Sequence, residues 1–137
     1  MITLRNCTQK DIPLLANLNQ MLITDEKADN SMTLSQLEKR LFDFLQKDYC
    51  AFLFEEEGNI VGYALIKENV EPPYLRQFFI CRQYRGKGYG REAFHALISQ
   101  MEIKEIDVDV YSWNPIAISF WKSLGFKERC YNMRLKD

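Results

Sequence analysis

Hydrophobic positions change their period along this chain, and each change marks an element. The alternating stretch Ile2-Thr3-Leu4-Arg5 predicts a short first strand. Ile12, Leu15, Leu18 and Leu22 then recur at helical spacing, behind Asp11 as a candidate cap and with Pro13 in the first turn. The polar stretch 24–30 interrupts the stripe. A second helix follows through Leu34, Leu37, Leu41 and Phe44 or Leu45, with Thr33 or Ser35 near its start. Residues 49–54 are aromatic and apolar, Glu57-Gly58-Asn59 is a turn signal, and 60–66 resumes as a strand, which together predict a hairpin. After Pro72-Pro73 comes another strand at 74–81, then glycines at 86, 88 and 90 and a helix with core face Ala93, Leu97, Ile98 and Met101. Residues 106–110 alternate as a half-buried strand. Asn114-Pro115 opens a last helix carrying Ala117, Phe120, Trp121 and Leu124, which Gly125 can end. A final strand is expected at 129–135.

The order is thus β-α-α-β-β-β-α-β-α-β. Hairpins followed by strand–helix–strand crossovers call for an α/β (α+β) fold with a mixed sheet and helices on both faces. At 137 residues, without linker or repeat, residues 1–137 read as a single domain able to bury a core.

Composition narrows the options. Hydrophobic residues at 47% and charged residues at 27% are ordinary for a globular chain. No apolar run approaches the roughly 20 residues of a membrane helix, and the N-terminal residues lack the apolar stretch of a secretory signal, so a cytoplasmic protein is expected. Cys7, Cys50, Cys81 and Cys130 lie far apart and His95 is the only histidine, so no metal site is expected and the thiols read as reduced and packed. Between residues 25 and 71 there are eleven acidic residues and five basic ones, whereas 82–91 carries Arg82, Arg85, Lys87 and Arg91 with no acid. A short basic patch beside an acidic half suits a small anionic cofactor and, with it, a cationic acceptor. Nucleic acid would need an extended basic face.

The strongest chemical signal is strand, glycine turn, helix. Gly86, Gly88 and Gly90 leave backbone N–H groups unobstructed, a helix N-terminus adds unpaired donors and partial positive charge, and Lys87 and the flanking arginines add formal charge. That combination cradles phosphate. It is not a Walker loop, since no Lys-Ser or Lys-Thr follows a glycine, and it matches the dinucleotide fingerprint only with Ala93 as the third small residue.

Arg85-Gly86-Lys87-Gly88-Tyr89-Gly90 matches Q/R-x-x-G-x-G/A in full, and residues 114–126 are similar to N-x-x-A-x-x-x-Y-x-x-x-G-F, with Asn114, Ala117, Gly125 and Phe126 in register. With both motifs at this spacing, the chain resembles the GNAT N-acetyltransferase superfamily over essentially its whole length. The resemblance implies a mostly antiparallel central sheet and acetyl-CoA as co-substrate. Pantetheine would run along main-chain groups of Phe79, Ile80 and Cys81 where two strands splay. Pyrophosphate would lie on the loop amides from Arg85 through Gly86, Lys87, Gly88, Tyr89 and Gly90 to Arg91, with Asn114 and Trp121 against the pantetheine arm. Relatives often dimerise, so a homodimer is a further expectation.

Trp121 stands where many relatives carry a Tyr that protonates the departing thiolate, and an indole N–H is no useful acid. Three readings follow: Tyr111 or Tyr131 substitutes, the thiolate leaves unaided because an alkyl thiol has a pKa of about 8.5, or the protein binds acyl-CoA without catalysis. Many relatives place a basic Glu where this chain has Arg76-Gln77. Others use an acid five residues before the Asn, which is Asp109; Asp107 shares its face, and Glu71 is a weaker candidate, while Glu68 and Tyr74 read as scaffold. The acidic loop residues Asp25, Glu26, Asp29 and Glu71 favour a cationic small-molecule or peptide amine, whereas Arg76 facing the cleft would favour a carboxylate-bearing one. The expected function is N-acetyl transfer from acetyl-CoA to a primary amine by direct transfer. The alternatives are a non-catalytic acyl-CoA-binding or sensing module and a phosphate-binding domain unrelated to CoA. Neither nucleic acid nor membrane is an expected partner.

Overall fold

A computed structural model describes residues 1–136. Its elements are β1 (Thr3–Asn6), α1 (Ile12–Glu26), α2 (Leu34–Gln46), β2 (Tyr49–Glu56), β3 (Asn59–Lys67), β4 (Tyr74–Ile80), α3 (Tyr89–Gln100), β5 (Asp107–Val108) and α4 (Pro115–Ser123), with one-turn 3₁₀ helices at Gln9–Asp11 and Arg82–Tyr84. Local chemistry explains where the helices begin. Asp11 makes no side-chain cap bond to α1; its Oδ2 instead accepts from the Thr8 N–H at 2.9 Å, while Thr8 Oγ1 accepts from the Lys10 N–H. Thr33 and Gln36 form a reciprocal capping box on α2, at 3.2 and 2.8 Å. Asn114 caps α4 by accepting from the Ala117 N–H at 3.2 Å, with Pro115 in the first turn.

The five strands stand in the order β1-β2-β3-β4-β5. Neighbours are antiparallel except β4 and β5, which are parallel. β3 is apolar at nearly every position because both its faces are covered. Leu53, Tyr63, Leu65 and Phe79 pack with Leu15, Leu18, Leu22, Leu37 and Leu41 of α1 and α2. The alternate residues Phe52, Phe54, Ala64, Ile66 and Leu75 pack with Ala93, Phe94 and Leu97 of α3 and Trp121 of α4. Among the described residues no helix is long and apolar enough to cross a membrane.

A register shift between β3 and β4 decides the site. Leu65 pairs with Gln77 but Ile66 pairs with Leu75, so Arg76 is an extra residue on β4. Such a bulge re-aims the chain. Leu75 turns to the α3 face, while Arg76 and Gln77 both face α1 and α2, as their contacts with Phe44, Tyr49 and Tyr63 record.

Two sequence expectations need correction. The strand read over 106–110 pairs only as Tyr74↔Asp107 and Leu75↔Val108, because β4 and β5 then part. The strand expected at 129–135 is not formed. Residues 126–136 carry no ladder, and the alternating Tyr131, Met133 and Leu135 are 79%, 86% and 98% exposed. Alternation prepares a segment for a sheet, but a strand exists only when an edge supplies the hydrogen bonds. The observed order therefore closes at α4.

Candidate functional site

Beyond Leu75 the outer edge of β4 has no ladder partner among the described residues, so the backbone from Arg76 to Ile80 borders the gap between β4 and β5. The chain leaves this edge through Cys81 and the 3₁₀ turn at 82–84, crosses the glycine loop and enters α3 at Tyr89. Gly86 and Gly88 have φ of +77° and +83°, the left-handed region that L side chains rarely adopt. A Cβ built on either meets nothing within 4 Å, so the space beside both glycines is open. Gly88 is the cap residue of α3, whose first-turn N–H groups have no partner within the helix. Gly90 is constrained differently: a Cβ there would lie 3.2 Å from the Phe120 ring and 3.6 Å from Ile80. Phe120 is therefore the α4 aromatic that walls the loop, a role helical spacing alone could not separate from core packing.

Charge in the patch is unevenly committed. The Asp25 carboxylate, at the end of α1, accepts from Arg82 Nε and Nη2 at 3.1 and 2.6 Å and from Arg85 Nη2 at 2.7 Å. Burial works to raise the Asp25 pKa, but the two guanidinium bonds outweigh it and hold the group below the ordinary carboxylate value. Arg85 also donates through Nε to the Ile80 carbonyl at 2.7 Å. The side chain read as a phosphate ligand thus ties α1 to the end of β4. Arg91 bonds Ser123 Oγ at 2.9 Å, and the Lys87 ammonium lies 5.9 Å from the Tyr84 ring centre. Neither has a carboxylate within 4.0 Å among the described residues. An open cleft of about 400 Å³ between α1 and the end of β4 is lined by Gln20, Thr24, Asp25, Phe79 and Arg82.

At the other end of β4 the Tyr74 hydroxyl donates to Asp109 Oδ2 at 2.9 Å. Burial first, and the Asp109 bond second, raise the Tyr74 pKa, so the phenol stays protonated and holds the carboxylate in place. Read from sequence as scaffold, Tyr74 is the direct partner of the candidate base. Tyr111 stacks on Trp113, with ring centres 4.5 Å apart, and Trp113 Nε1 donates to the Glu26 carbonyl at 3.0 Å. The loop after β5 is thereby pinned to the end of α1 across the gap.

The remaining sequence candidates divide. Phe79 and Cys81 are buried and Ile80 half-buried at the end of β4; burial raises the Cys81 thiol pKa. Asn114 lies at the head of α4, its Oδ1 occupied by the cap. Trp121 is buried among Phe78, Phe94 and Phe126, with ring centres 5.1–5.7 Å away, so it is a packing residue in the α3–α4 layer. Tyr131 is not brought to Asp109 and Tyr111: it lies in the exposed tail beside Glu128 and Lys122.

Comparison with known proteins follows the same geometry. The family model described as acetyltransferase (GNAT) family matches residues 16–126. The uncharacterized N-acetyltransferase YycN of Bacillus subtilis is 32% identical over 79 residues, 53% of this chain and 51% of the relative. The spermine/spermidine N(1)-acetyltransferase of the same organism is 31% identical over 85 residues, 52% and 55% of the two chains. The chain spans about half the length of the curated relatives it matches. A solved predicted acetyltransferase with acetyl-CoA from Clostridium acetobutylicum superposes with a TM-score of 0.75 at 17% identity, over 99% of this chain and 96% of that one. The family match runs through the parted strands, the glycine loop and the last helix alike, and the chain belongs to the acetyltransferase (GNAT) family.

Proposed function

We propose that this protein moves an acetyl group from acetyl-CoA to a primary amine by direct transfer. The observation that carries the reading is the continuous path from the open edge of β4 into the glycine loop at the head of α3. In it, the pantetheine arm lies along the main chain of Phe79, Ile80 and Cys81, of which the Cys81 N–H and carbonyl are already bonded to Val61 and Tyr84. The amides from Arg85 to Arg91, with Lys87, hold the pyrophosphate. Asn114 offers its remaining carboxamide N–H₂ to the arm, while Trp121 supports the wall behind Phe120.

The acceptor nitrogen attacks the thioester carbon, the carbon–sulfur bond breaks, and the coenzyme leaves as thiolate. Asp109, steadied by Tyr74, takes the ammonium proton so that the nitrogen carries a free pair. No dedicated acid is assigned to the thiolate: the second proton, lost by the nitrogen as the amide forms, reaches the sulfur through water. The burial of Trp121 and the remoteness of Tyr131 support that choice, and an alkyl thiol pKa of about 8.5 makes it tolerable. Thiol release from acetyl-CoA across a panel of amines, with acetyl-CoA binding measured in parallel, tests the reading. Binding without release on any amine would favour an acyl-CoA-binding module, for which Trp121 at the usual Tyr position is the argument. A cytoplasmic setting, which supplies the co-substrate and keeps the four cysteines reduced, belongs to this reading. So does a homodimer, supported by the exposed Tyr131, Met133 and Leu135 alternation; a light-scattering mass equal to one chain would remove it.

A further inference from the structure

The bulge at Arg76 brings two arginines onto one aromatic ring. The Arg76 guanidinium carbon lies 4.8 Å from the centre of Phe44, and that of Arg40, one helical turn earlier on α2, lies 5.6 Å from it. Arg76 donates to the Tyr49 hydroxyl at 3.4 Å, and Arg40 Nη2 donates to Asn19 Oδ1 at 3.1 Å. The buried Arg40 Nε has no hydrogen-bond partner among the described residues. Neither guanidinium has a carboxylate within 4.0 Å among the described residues. Burial, and then the charge of Arg76, lower the Arg40 pKa, while Arg76 itself is exposed and open to an incoming group. Two like charges and an unpartnered guanidinium N–H between α2 and β4 are complementary in charge to an oxyanion. Planar guanidinium groups are the side chains that best take a carboxylate.

The pair also sits beside the proposed chemistry. Arg76 is two residues from Tyr74, which holds Asp109, and its charge acts on the Tyr74 phenol. Of the four acidic loop residues that would argue for a polycation, Glu71 forms no ion pair among the described residues, and the other three are less available. Asp25 neutralises Arg82 and Arg85, and Asp29 lies out in solvent facing Arg134. Burial and the neighbouring Asp25 raise the Glu26 pKa, which disfavours its charge.

We infer that Arg40 and Arg76 form a carboxylate subsite, so that the acceptor is an amino acid or similar amino-carboxylate rather than a polyamine. The inference rests on the acetyl-transfer reading above. The test compares kcat/KM for amino acids with that for the amines lacking the carboxylate (lysine against cadaverine, tyrosine against tyramine, phenylalanine against phenethylamine), with spermidine and phosphoethanolamine as further arms. The carboxylate-bearing member should lead by at least about tenfold, the discrimination expected when a charged pair is left unmatched. Arg76→Met should lower kcat/KM for the best amino acid by about tenfold or more through KM, leave the matching amine within about threefold, and be partly restored by Arg76→Lys. Equal use of the bare amine, a lead for spermidine or phosphoethanolamine, or an Arg76→Met ratio like wild type overturns the subsite. A second readout needs no turnover: N-acetyl-L-amino acids titrated into the CoA-loaded protein should bind, and Arg76→Met should weaken them about tenfold. Failure of both wild type and variant to bind, or equal binding by both, also overturns the inference, whereas failure of CoA itself to bind overturns the transfer reading on which it stands.

Discussion

Replacing Gly88 by alanine separates backbone conformation from side-chain bulk at the coenzyme loop. Gly88 has φ of +83°, yet a Cβ there touches nothing within 4 Å, so no steric collision accompanies the change. What remains is the left-handed penalty of an L-residue, about 1–2 kcal/mol. If CoA binding demands this loop conformation, the penalty appears in affinity. At 1.4 kcal/mol per tenfold, it corresponds to a loss of about 5- to 30-fold. Gly125 supplies the control: its φ is +102° and its Cβ would also meet open space, but it ends α4 and no phosphate role is assigned to it. Gly125→Ala should therefore cost stability of the same order while leaving CoA affinity within about twofold. Calorimetric titration of CoA into both variants, with thermal melts of each, gives the comparison. The reasoning fails if Gly88→Ala binds CoA like the wild type, or if both variants lose affinity equally.

Asp109→Asn should lower kcat by about 10²–10⁴-fold, the usual contribution of a positioned base, with acetyl-CoA affinity retained; a loss under threefold in the thiol-release assay would assign the base elsewhere. The depressed pKa of Asp25 means its contribution to stability is present above the unfolded carboxylate value and is lost as pH falls through the folded one. Thermal melts of Asp25→Asn should accordingly show a shallower fall than wild type below about pH 4, and parallel curves would show that the Arg82 and Arg85 bonds carry no linkage. Trp121→Tyr places a hydroxyl in an aromatic shell without a partner, so urea unfolding should register a loss of about 1–3 kcal/mol and activity should not rise. A rate increase in that variant would mean that thiolate protonation is limiting after all.

Much of the fold is local in origin and so was legible in the sequence. The stripes Leu15-Leu18-Leu22 and Leu37-Leu41 became the buried faces of α1 and α2. The turn at Glu57-Gly58 joined β2 to β3, and the glycine run lies between a strand and the head of a helix as its composition requires. Each of these depends on residues within a few turns of one another. The tail at 129–135 shows the limit: its apolar residues alternate, but no pattern within seven residues reveals whether an edge is available to pair with it, and the strand expected there is not formed.

The chain by itself determined the glycine loop, the helix and strand periods and the family motifs, because backbone preference and amphipathic spacing are written in neighbouring residues. Tertiary structure decided which side chains meet in the site. Asp25 reaches Arg82 and Arg85 across 57 and 60 residues, Tyr74 reaches Asp109 across 35, and Trp113 reaches the Glu26 carbonyl across 87. It also decided that Arg76 faces α2, since one extra residue on β4 reverses the side to which the strand before it points. Register and long-range pairing arise from the packing of all the layers at once, so no local window of the sequence contains them.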